Sequence, residues 1–257
     1  MTVADLFHLF VYGHIATGSI GLVAFWLPVL GKKGGTIHRR AGLVFVTSML
    51  ATGSIATLIA LTTLIDPIGT HPHLAHHPDF GDAATIRGIF GWMMIFLAML
   101  TVNLAWHGWL TIRHKRKREP CREWRNLSLQ AIVFIAAANC LVHGLQLGQV
   151  LMIGISMVGF ATVITNLWYL YRPTTRPLDW LIEHFKCLVG AGISVYTAFL
   201  AFGSVRLLPE AALTPALWAV PFTIGLAIIL YHRRDTAKKV RSHPTRPSPR
   251  APMTPAE

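Results

Sequence analysis

Residues 86–112 read IRGIFGWMMIFLAMLTVNLAWHGWLTI, and this stretch decides the fold. A bilayer core is about 30 Å thick, and a helix needs about 20 mostly apolar residues to cross it. The segment meets that length, and the basic run RHKRKREPCREWR follows it directly. Basic runs of this kind are typical of the cytoplasmic end of a membrane span. The stretch therefore predicts a transmembrane helix, and similar apolar runs recur along the chain.

The composition is that of a polytopic membrane protein. Of the 257 residues, 53% are hydrophobic and 13% are charged, and the mean hydropathy is +0.50. A soluble domain carries about a quarter charged residues. Residues 1–232 are predicted to form one all-α bundle of seven transmembrane helices, and the basic, proline-rich residues 233–257 a disordered cytoplasmic tail. The expected helices are Leu6–Leu30, Ala41–Ile65, Ile86–Ile112, Leu127–Leu147, Val150–Tyr171, Leu178–Leu208 and Ala216–Tyr231.

The distribution of lysine and arginine predicts the orientation of the bundle. These residues follow the first, third, fifth and seventh helices, whereas residues 66–85 and 144–149 contain none. The positive-inside rule then places the N-terminus outside and the C-terminus in the cytoplasm of a bacterial inner membrane. The net charge of +12 follows from this topology, so it does not indicate nucleic-acid binding. Three cysteines without paired spacing argue against a disulfide framework.

Four histidines lie inside the predicted spans. An ionisable side chain at membrane depth is costly, so each one indicates a functional site. By depth, His14 and His143 belong to the outer leaflet, and His107 and His184 to the inner one. One pair in each leaflet would suit an electron carrier with two b-type haems, because haem iron accepts axial histidines. The alternative is that each histidine bonds to a neighbouring helix.

Two of these histidines follow an asparagine at helical spacing. Asn103 precedes His107 by four residues, and Asn139 precedes His143 in the same way. Residues four apart share one helix face, so each asparagine could orient its imidazole. Hydrogen bonds between helices explain the same pattern. Small residues should mediate helix packing, and the candidates are Gly18, Gly21, Gly154, Gly159, Gly190 and Gly192.

The predicted outer loop THPHLAHHPDFGD is rich in histidine. Histidines at this density can bind a transition metal such as copper or zinc. Their spacing matches no closed structural zinc motif, and a solvated loop is the alternative. The candidate ligands are His71, His73, His76 and His77.

Ionisable residues also gather at the predicted inner edge of the membrane. His38 and Arg39 begin the second helix, where the charge would bind lipid phosphate or only anchor the topology. Glu183 and Lys186 are three residues apart and are expected to pair. This group could be a proton entry point or a salt-bridged interfacial turn.

The segment His14-x3-Gly18 through Leu30, followed by His38-Arg39-x2-Gly42, resembles uncharacterised bacterial multi-pass membrane proteins of the domain-of-unknown-function type. Their first helical hairpin carries a similar His-Arg-x-x-Gly junction. The segment from His184 to Gly203, with Tyr196-Thr197-Ala198-Phe199, is also similar to a later helix of theirs. The resemblance covers about a third of the chain and implies a helical inner-membrane protein, without any established activity.

Several enzyme signatures are absent from the sequence, among them the Walker A loop and the H-E-x-x-H and G-x-S-x-G motifs. No catalytic residue is assigned. The leading interpretation is a membrane protein that binds haem or a transition metal for electron transfer, with a quinone or a redox protein as its partner. Its ligands would be His14, His107, His143 and His184. The alternatives are a transporter or channel for a small solute, ion or proton, and a non-catalytic assembly or sensor protein.

Overall fold

The computed structural model describes residues 2–75, 81–203 and 214–242, and every regular element in these ranges is helical. The all-α prediction is therefore confirmed. Short helical turns at Pro67–Thr70, Pro72–Leu74 and Glu119–Arg122 lie in the connections. The long helices are α1 (Val3–Leu30), α2 (Thr36–Ile65), α3 (Ala83–His114), α4 (Trp124–Gln146), α5 (Val150–Tyr171), α6 (Asp179–Gly203) and α7 (Pro215–Ser242).

Six of the helices in the described part of the chain are long and apolar enough to cross a membrane. Helix α6 is not among these six, and Asp179, Glu183 and Lys186 lie in its first turns. The outer surface of the bundle is apolar, as Val23 on α1 shows with 71% of its surface exposed. An apolar exterior of this kind suits contact with lipid tails rather than with water. The bundle is therefore compatible with a multi-pass membrane protein.

Local sequence signals begin and end several helices. Thr2 and Asp5 form a capping box at the start of α1. The amide nitrogen of Asp5 donates to the Thr2 hydroxyl at 3.2 Å, and the amide nitrogen of Thr2 donates to the Asp5 carboxylate at 2.7 Å. Gly148 has a φ of +64°, which permits the short turn between α4 and α5. Helix α7 continues beyond the expected boundary at residue 232 and ends at Ser242. The rest of the predicted tail, residues 243–257, lies outside the described residues.

Helix α3 contains a π-helical segment, Arg87–Met93, near its start. In such a segment the hydrogen bonds run from residue i to i+5, so the turn is wider than in an α-helix. Two glycines let this wide turn pack against its neighbours. A Cβ on Gly88 or Gly91 would lie 2.3 Å from a methyl carbon of Leu147 or Leu64, respectively. The segment thus fits closely between α2 and α4.

Helix α3 is the central element of the bundle. It packs against α2, α4 and α6, while α1 packs on α2, α5 on α4 and α7 on α6. Met49 of α2, Phe96 of α3 and Val133 of α4 are fully buried in the shared core. Because three helices surround α3, polar residues on it face protein rather than lipid.

Five of the six predicted packing glycines contact another helix, which confirms that part of the prediction. A Cβ on Gly159 would lie 2.5 Å from the Phe96 ring, and the corresponding distances at the other four range from 2.2 to 3.6 Å. Gly154 is different, because a Cβ there would meet nothing within 4 Å. The packing prediction is therefore wrong for Gly154.

Candidate metal centre

His107 lies in the C-terminal half of α3 and is completely buried. Its Nε2 atom is 3.2 Å from Oε1 of Glu183 on α6, and its Nδ1 atom is 3.1 Å from Nδ2 of Asn126 on α4. Nδ1 also lies 3.3 Å from Oδ1 of Asn126. A proton on Nδ1 can be donated to this oxygen, which leaves the lone pair of Nε2 for a metal ion. The imidazole is thus held between two neighbouring helices.

Glu183 also binds the ammonium group of Lys186, whose Nζ lies 2.7 Å from Oε1. The pairing predicted from their spacing is confirmed. Lys186 donates further to Oδ1 of Asn166 at 3.0 Å and to Oγ1 of Thr165 at 3.3 Å. A buried ion pair persists when its remaining hydrogen-bonding groups have partners. These extra acceptors on α5 supply that condition for Lys186.

An amide cluster extends this polar group toward the middle of the bundle. Nδ2 of Asn166 lies 3.3 Å from Oδ1 of Asn103 and 3.4 Å from Oε1 of Gln130. All three side chains are buried, with exposed fractions between 0 and 2%. Nδ2 of Asn103 and Nε2 of Gln130 have no protein partner. Buried donors rarely stay unpaired, so these two indicate a place for an ordered water molecule.

Three ligand-type side chains converge at the centre of this polar group. Nε2 of His107, a carboxylate oxygen of Glu183 and Sγ of Cys187 lie within 4.8 Å of one another, and all three residues are buried. Sγ of Cys187 is 3.9 Å from Oε1 of Glu183. In the described part of the chain, these three residues form a group of metal-ligand types that could hold a metal ion.

The observed spacings fit a small metal ion. Zinc binds nitrogen and oxygen at about 2.0–2.2 Å and sulfur at about 2.3 Å, so two ligands of a tetrahedral site lie roughly 3.5 Å apart. The nitrogen-to-oxygen distance of 3.2 Å and the sulfur-to-oxygen distance of 3.9 Å bracket that value. The nitrogen-to-sulfur separation is at most 4.8 Å, so these two ligands would have to move closer together to surround an ion.

The surroundings of His107 keep its ring in place. Nδ2 of Asn126 donates to the carbonyl oxygen of Cys121 at 2.7 Å, and its Oδ1 faces Nδ1 of His107. The ring edge of Tyr169 on α5 meets the imidazole at a centroid distance of 6.2 Å. A partner on the second ring nitrogen sets the tautomer and orientation of a metal-binding histidine. Asn126 performs that role here, rather than Asn103, the residue predicted from its spacing.

The other histidine of the predicted inner pair has a different partner. Nδ1 of His184 is 2.9 Å from the carbonyl oxygen of Gly108 on α3. His184 therefore stands beside the centre and ties α6 to α3. The structure groups His107 with Glu183 and Cys187 instead.

The two histidines of the predicted outer pair contact different helices. Nδ1 of His14 is 3.2 Å from the carbonyl oxygen of Thr52 on α2. His143 stacks on Trp92 of α3, with a centroid distance of 5.7 Å and an interplanar angle of 9°. The buried Oδ1 of Asn139 has no hydrogen-bond partner. Their observed contacts correspond to the structural alternative, in which each histidine ties two helices together.

The residues predicted at the junction between the first two helices, His38 and Arg39, lie in the first turn of α2. Nδ1 of His38 is 3.2 Å from the carbonyl oxygen of Pro28, which links the start of α2 to the end of α1. Arg39 is exposed, and no described residue pairs with its guanidinium group. This arrangement is compatible with both interpretations of the junction, lipid contact and topology anchoring.

Only part of the predicted loop site is described. His71 is buried against Phe90, with ring centroids 4.7 Å apart, and its Nδ1 is 3.1 Å from the hydroxyl of Thr70. Burial, with a smaller effect from nearby His73, lowers the pKa of His71 to about 4. His76 and His77 lie outside the described residues, so metal binding by this loop stays a prediction.

Sequence reasoning missed Thr165 and Asn166 on α5, and also three members of the polar group that helical spacing could have found. Asn126 and Gln130 are four residues apart on α4, and Cys187 follows Glu183 by four on α6. The spacing rule that singled out Asn103 and His107 applies equally to both pairs. Applying it to every polar residue of the apolar runs would have found them.

The chemistry available at the centre follows from its side-chain types. An imidazole, a carboxylate and a thiol form a metal-ligand set, and the hydrogen-bonded line from Asn126 through His107 to Glu183 can also relay a proton.

No protein-family model matches the chain, and neither does any curated protein or solved structure.

Proposed function

We propose that this protein is a bacterial inner-membrane protein that binds one transition-metal ion at His107, Glu183 and Cys187. The observation that carries the proposal is the convergence of three ligand atoms within 4.8 Å inside the bundle. In the topology we propose, α6 is a seventh span, the N-terminus lies outside and the C-terminus lies in the cytoplasm. The basic loops after α1, α3, α5 and α7 support this orientation.

The ligand set favours zinc or copper over other ions. Thiolate and imidazole ligands select these metals, whereas magnesium and calcium prefer oxygen. Copper would give the site a redox role, with a quinone or a redox protein as electron partner. Haem is a poorer fit at His107, since both ring nitrogens have partners and the Glu183 carboxylate stands 3.2 Å from Nε2.

Metal binding at this centre would couple to proton release. The Cys187 thiol must lose its proton before the sulfur binds an ion, so the affinity is expected to rise with pH. Lys186 would cede the shared oxygen of Glu183 to the ion. It would keep its bonds to Asn166 and Thr165 and offset part of the anionic charge.

Metal titration of the purified protein in detergent tests the proposal. We expect one equivalent of Zn²⁺ or Cu⁺ to bind, with an affinity that increases between about pH 6 and pH 8. Cys187→Ser should weaken binding by at least about tenfold, because it removes the soft ligand. Cys140→Ser is the matched control, since Cys140 is equally buried and lies outside the group.

Two outcomes would count against the proposal: stoichiometric binding that Cys187→Ser leaves unchanged, or an equal loss in Cys140→Ser. The absorption spectrum separates the metals. Cu²⁺ bound to the Cys187 thiolate gives a charge-transfer band, which supports the redox role, and Zn²⁺ gives none. A Soret band in the purified protein would restore the haem interpretation.

Proton or ion transport is the second candidate function, and the two unpaired amide donors favour it. The polar group connects Lys186 through Asn166 to Nδ2 of Asn103 and Nε2 of Gln130. Water at these donors would extend the path past the middle of the bundle. Proton flux into proteoliposomes tests this function. We expect Glu183→Gln to abolish the flux and Asn139→Ala to preserve it, and flux that survives Glu183→Gln would exclude this path.

A further inference from the structure

A cavity opens at the inner end of α3, next to the proposed metal centre. Its volume is about 160 Å³, whereas a single water molecule needs roughly 10–15 Å³. The end of α3, the connection from α5 to α6 and the start of α6 enclose it. Tyr169 and Trp180 provide its aromatic lining. Because Tyr169 also contacts His107, its ring separates this cavity from the metal ligands.

The lining of the cavity carries an excess of positive charge. Lys115, Arg116 and Arg176 all line it, and their side chains are exposed. No described residue forms an ion pair or a hydrogen bond with the side chain of any of the three, and the backbone N–H of Arg176 donates to Oδ2 of Asp179 at 2.6 Å. Three cations near one another without an anion repel each other, so an anionic ligand would stabilise them.

The other two charged residues of the lining are already engaged. Asp179 pairs with Arg172, with Oδ2 and Nη2 2.6 Å apart, so its carboxylate does not neutralise the three exposed cations. Arg118 donates from Nη1 to the carbonyl oxygens of Tyr169 and Arg172 at 2.9 and 2.7 Å. These bonds position Arg118 but leave its charge uncompensated. The cavity therefore remains electropositive.

The backbone at Lys115 brings these cations together. Helix α3 ends there with φ 51° and ψ −113°, a conformation that residues other than glycine rarely adopt. Such conformations cost about 1–3 kcal/mol and cluster at ligand-binding sites. The sharp turn directs the chain back over the cavity, so that Lys115, Arg116 and Arg118 all line it.

We propose that this cavity binds a phosphate group, and that the headgroup of an anionic phospholipid of the inner leaflet supplies it. Guanidinium and ammonium groups are the usual protein partners of phosphate. Aromatic residues are typical of the membrane interface, and Tyr169 and Trp180 line this cavity. Anionic lipids of the cytoplasmic leaflet attract basic residues with about 1 kcal/mol for each. A soluble phosphate is the other source of the same chemistry.

The test uses the full-length protein in detergent with phosphatidylglycerol, phosphatidylcholine and inorganic phosphate as separate probes. Lipid retention is measured by native mass spectrometry, and Tm with each probe by thermal unfolding. We expect phosphatidylglycerol to bind at least about tenfold more tightly than phosphatidylcholine. The triple variant Lys115→Gln, Arg116→Gln, Arg176→Gln should abolish this preference. These side chains are exposed, so the bundle should still fold.

A variant of α7 provides the matched control. Arg233→Gln, Arg234→Gln and Lys238→Gln remove three exposed positive charges from the same side of the membrane in our topology. This variant should keep the preference within about twofold. An equal loss in both triple variants, or no preference in the wild type, overturns the lipid assignment. If inorganic phosphate binds but neither lipid is preferred, the site belongs to a soluble phosphate. If inorganic phosphate does not bind and neither lipid is preferred, the proposed phosphate site is refuted.

Discussion

Oδ1 of Asn126 lies 3.3 Å from Nδ1 of His107, across the interface between α4 and α3. This contact leaves Nε2 of the same ring to face Glu183 on α6. One amide on α4 thereby determines which ring nitrogen is presented to the other ligands. The ligand geometry depends on the packing of three helices, and its parts can be tested separately.

Removal of the Asn126 amide should weaken metal binding. We expect Asn126→Ala to lower the affinity about 10- to 100-fold, because partners of the second ring nitrogen typically contribute that much. Asn103→Ala should have a smaller effect, since Asn103 contacts Asn166 rather than the imidazole. Calorimetric titration of both folded variants measures the difference. A larger loss in Asn103→Ala would show that the asparagine of the same helix orients the ring.

Removal of the Lys186 ammonium should destabilise the protein through Glu183. Removing one partner of a fully buried ion pair lowers the free energy of unfolding by about 3–5 kcal/mol. Lys186 keeps 24% of its side chain exposed, so we expect a smaller loss of about 2 kcal/mol for Lys186→Met. Adding Glu183→Gln removes the unpaired charge and should recover most of the loss. Denaturant unfolding of the two single variants and the double variant gives the interaction energy. Simple additivity would mean that the pair contributes nothing.

Acid should destabilise the connection between α2 and α3 through His71. Its pKa of about 4 in the folded protein lies below the unfolded value of about 6.5, so the unfolded chain binds more protons between these pH values. Stability is therefore full above pH 6.5 and is lost as the pH falls toward 4. Between pH 7.5 and pH 5 the loss is about 2 kcal/mol.

Unfolding curves of wild type and His71→Phe at both pH values measure this effect. The variant should lose less stability on acidification than the wild type, because its side chain cannot be protonated. His8→Gln replaces an exposed histidine near the same end and should behave like the wild type. Identical acid sensitivity in His71→Phe would assign the effect to other groups.

Two glycines of α5 should respond in opposite ways to the same substitution. A Cβ on Gly159 would lie 2.5 Å from the buried ring of Phe96, so Gly159→Ala should cost about 1–3 kcal/mol. Gly154→Ala meets nothing within 4 Å and should stabilise the helix by about 0.5–1 kcal/mol. Thermal unfolding of the two variants in detergent provides the comparison. Equal effects would contradict the close packing of α5 on α3.

The helices of the bundle could be predicted because hydropathy is a property of each segment alone. The Glu183–Lys186 pair was predictable for the same reason, since both residues lie on one helix. The contact between Asn126 and His107 was not, because it depends on how α3 and α4 are rotated about their axes. Spacing favoured Asn103, whose side chain instead turns toward α5. Tertiary packing determines which asparagine contacts His107, and local spacing alone does not distinguish Asn126 from Asn103.

The convergence of the metal ligands could not be predicted for a related reason. Depth sorts residues along the membrane normal and says nothing about which helices are neighbours. His107 and His184 were assigned to one leaflet, yet Glu183 is the residue that faces His107. The residue directly before His184, rather than the histidine itself, supplies the ligand. Helix rotation decides this difference of a single residue.

The charged residues in the first turns of α6 have a consequence for biogenesis. Glu183 and Lys186 would disfavour its release into lipid as an isolated helix, since each charge is costly there. Their partners lie on α3 and α5, which precede α6 in the chain and leave the ribosome earlier. In the proposed topology, α6 would therefore enter the bilayer against helices that are already inserted. A nascent chain that lacks α3 should leave α6 outside the membrane, whatever its remaining length.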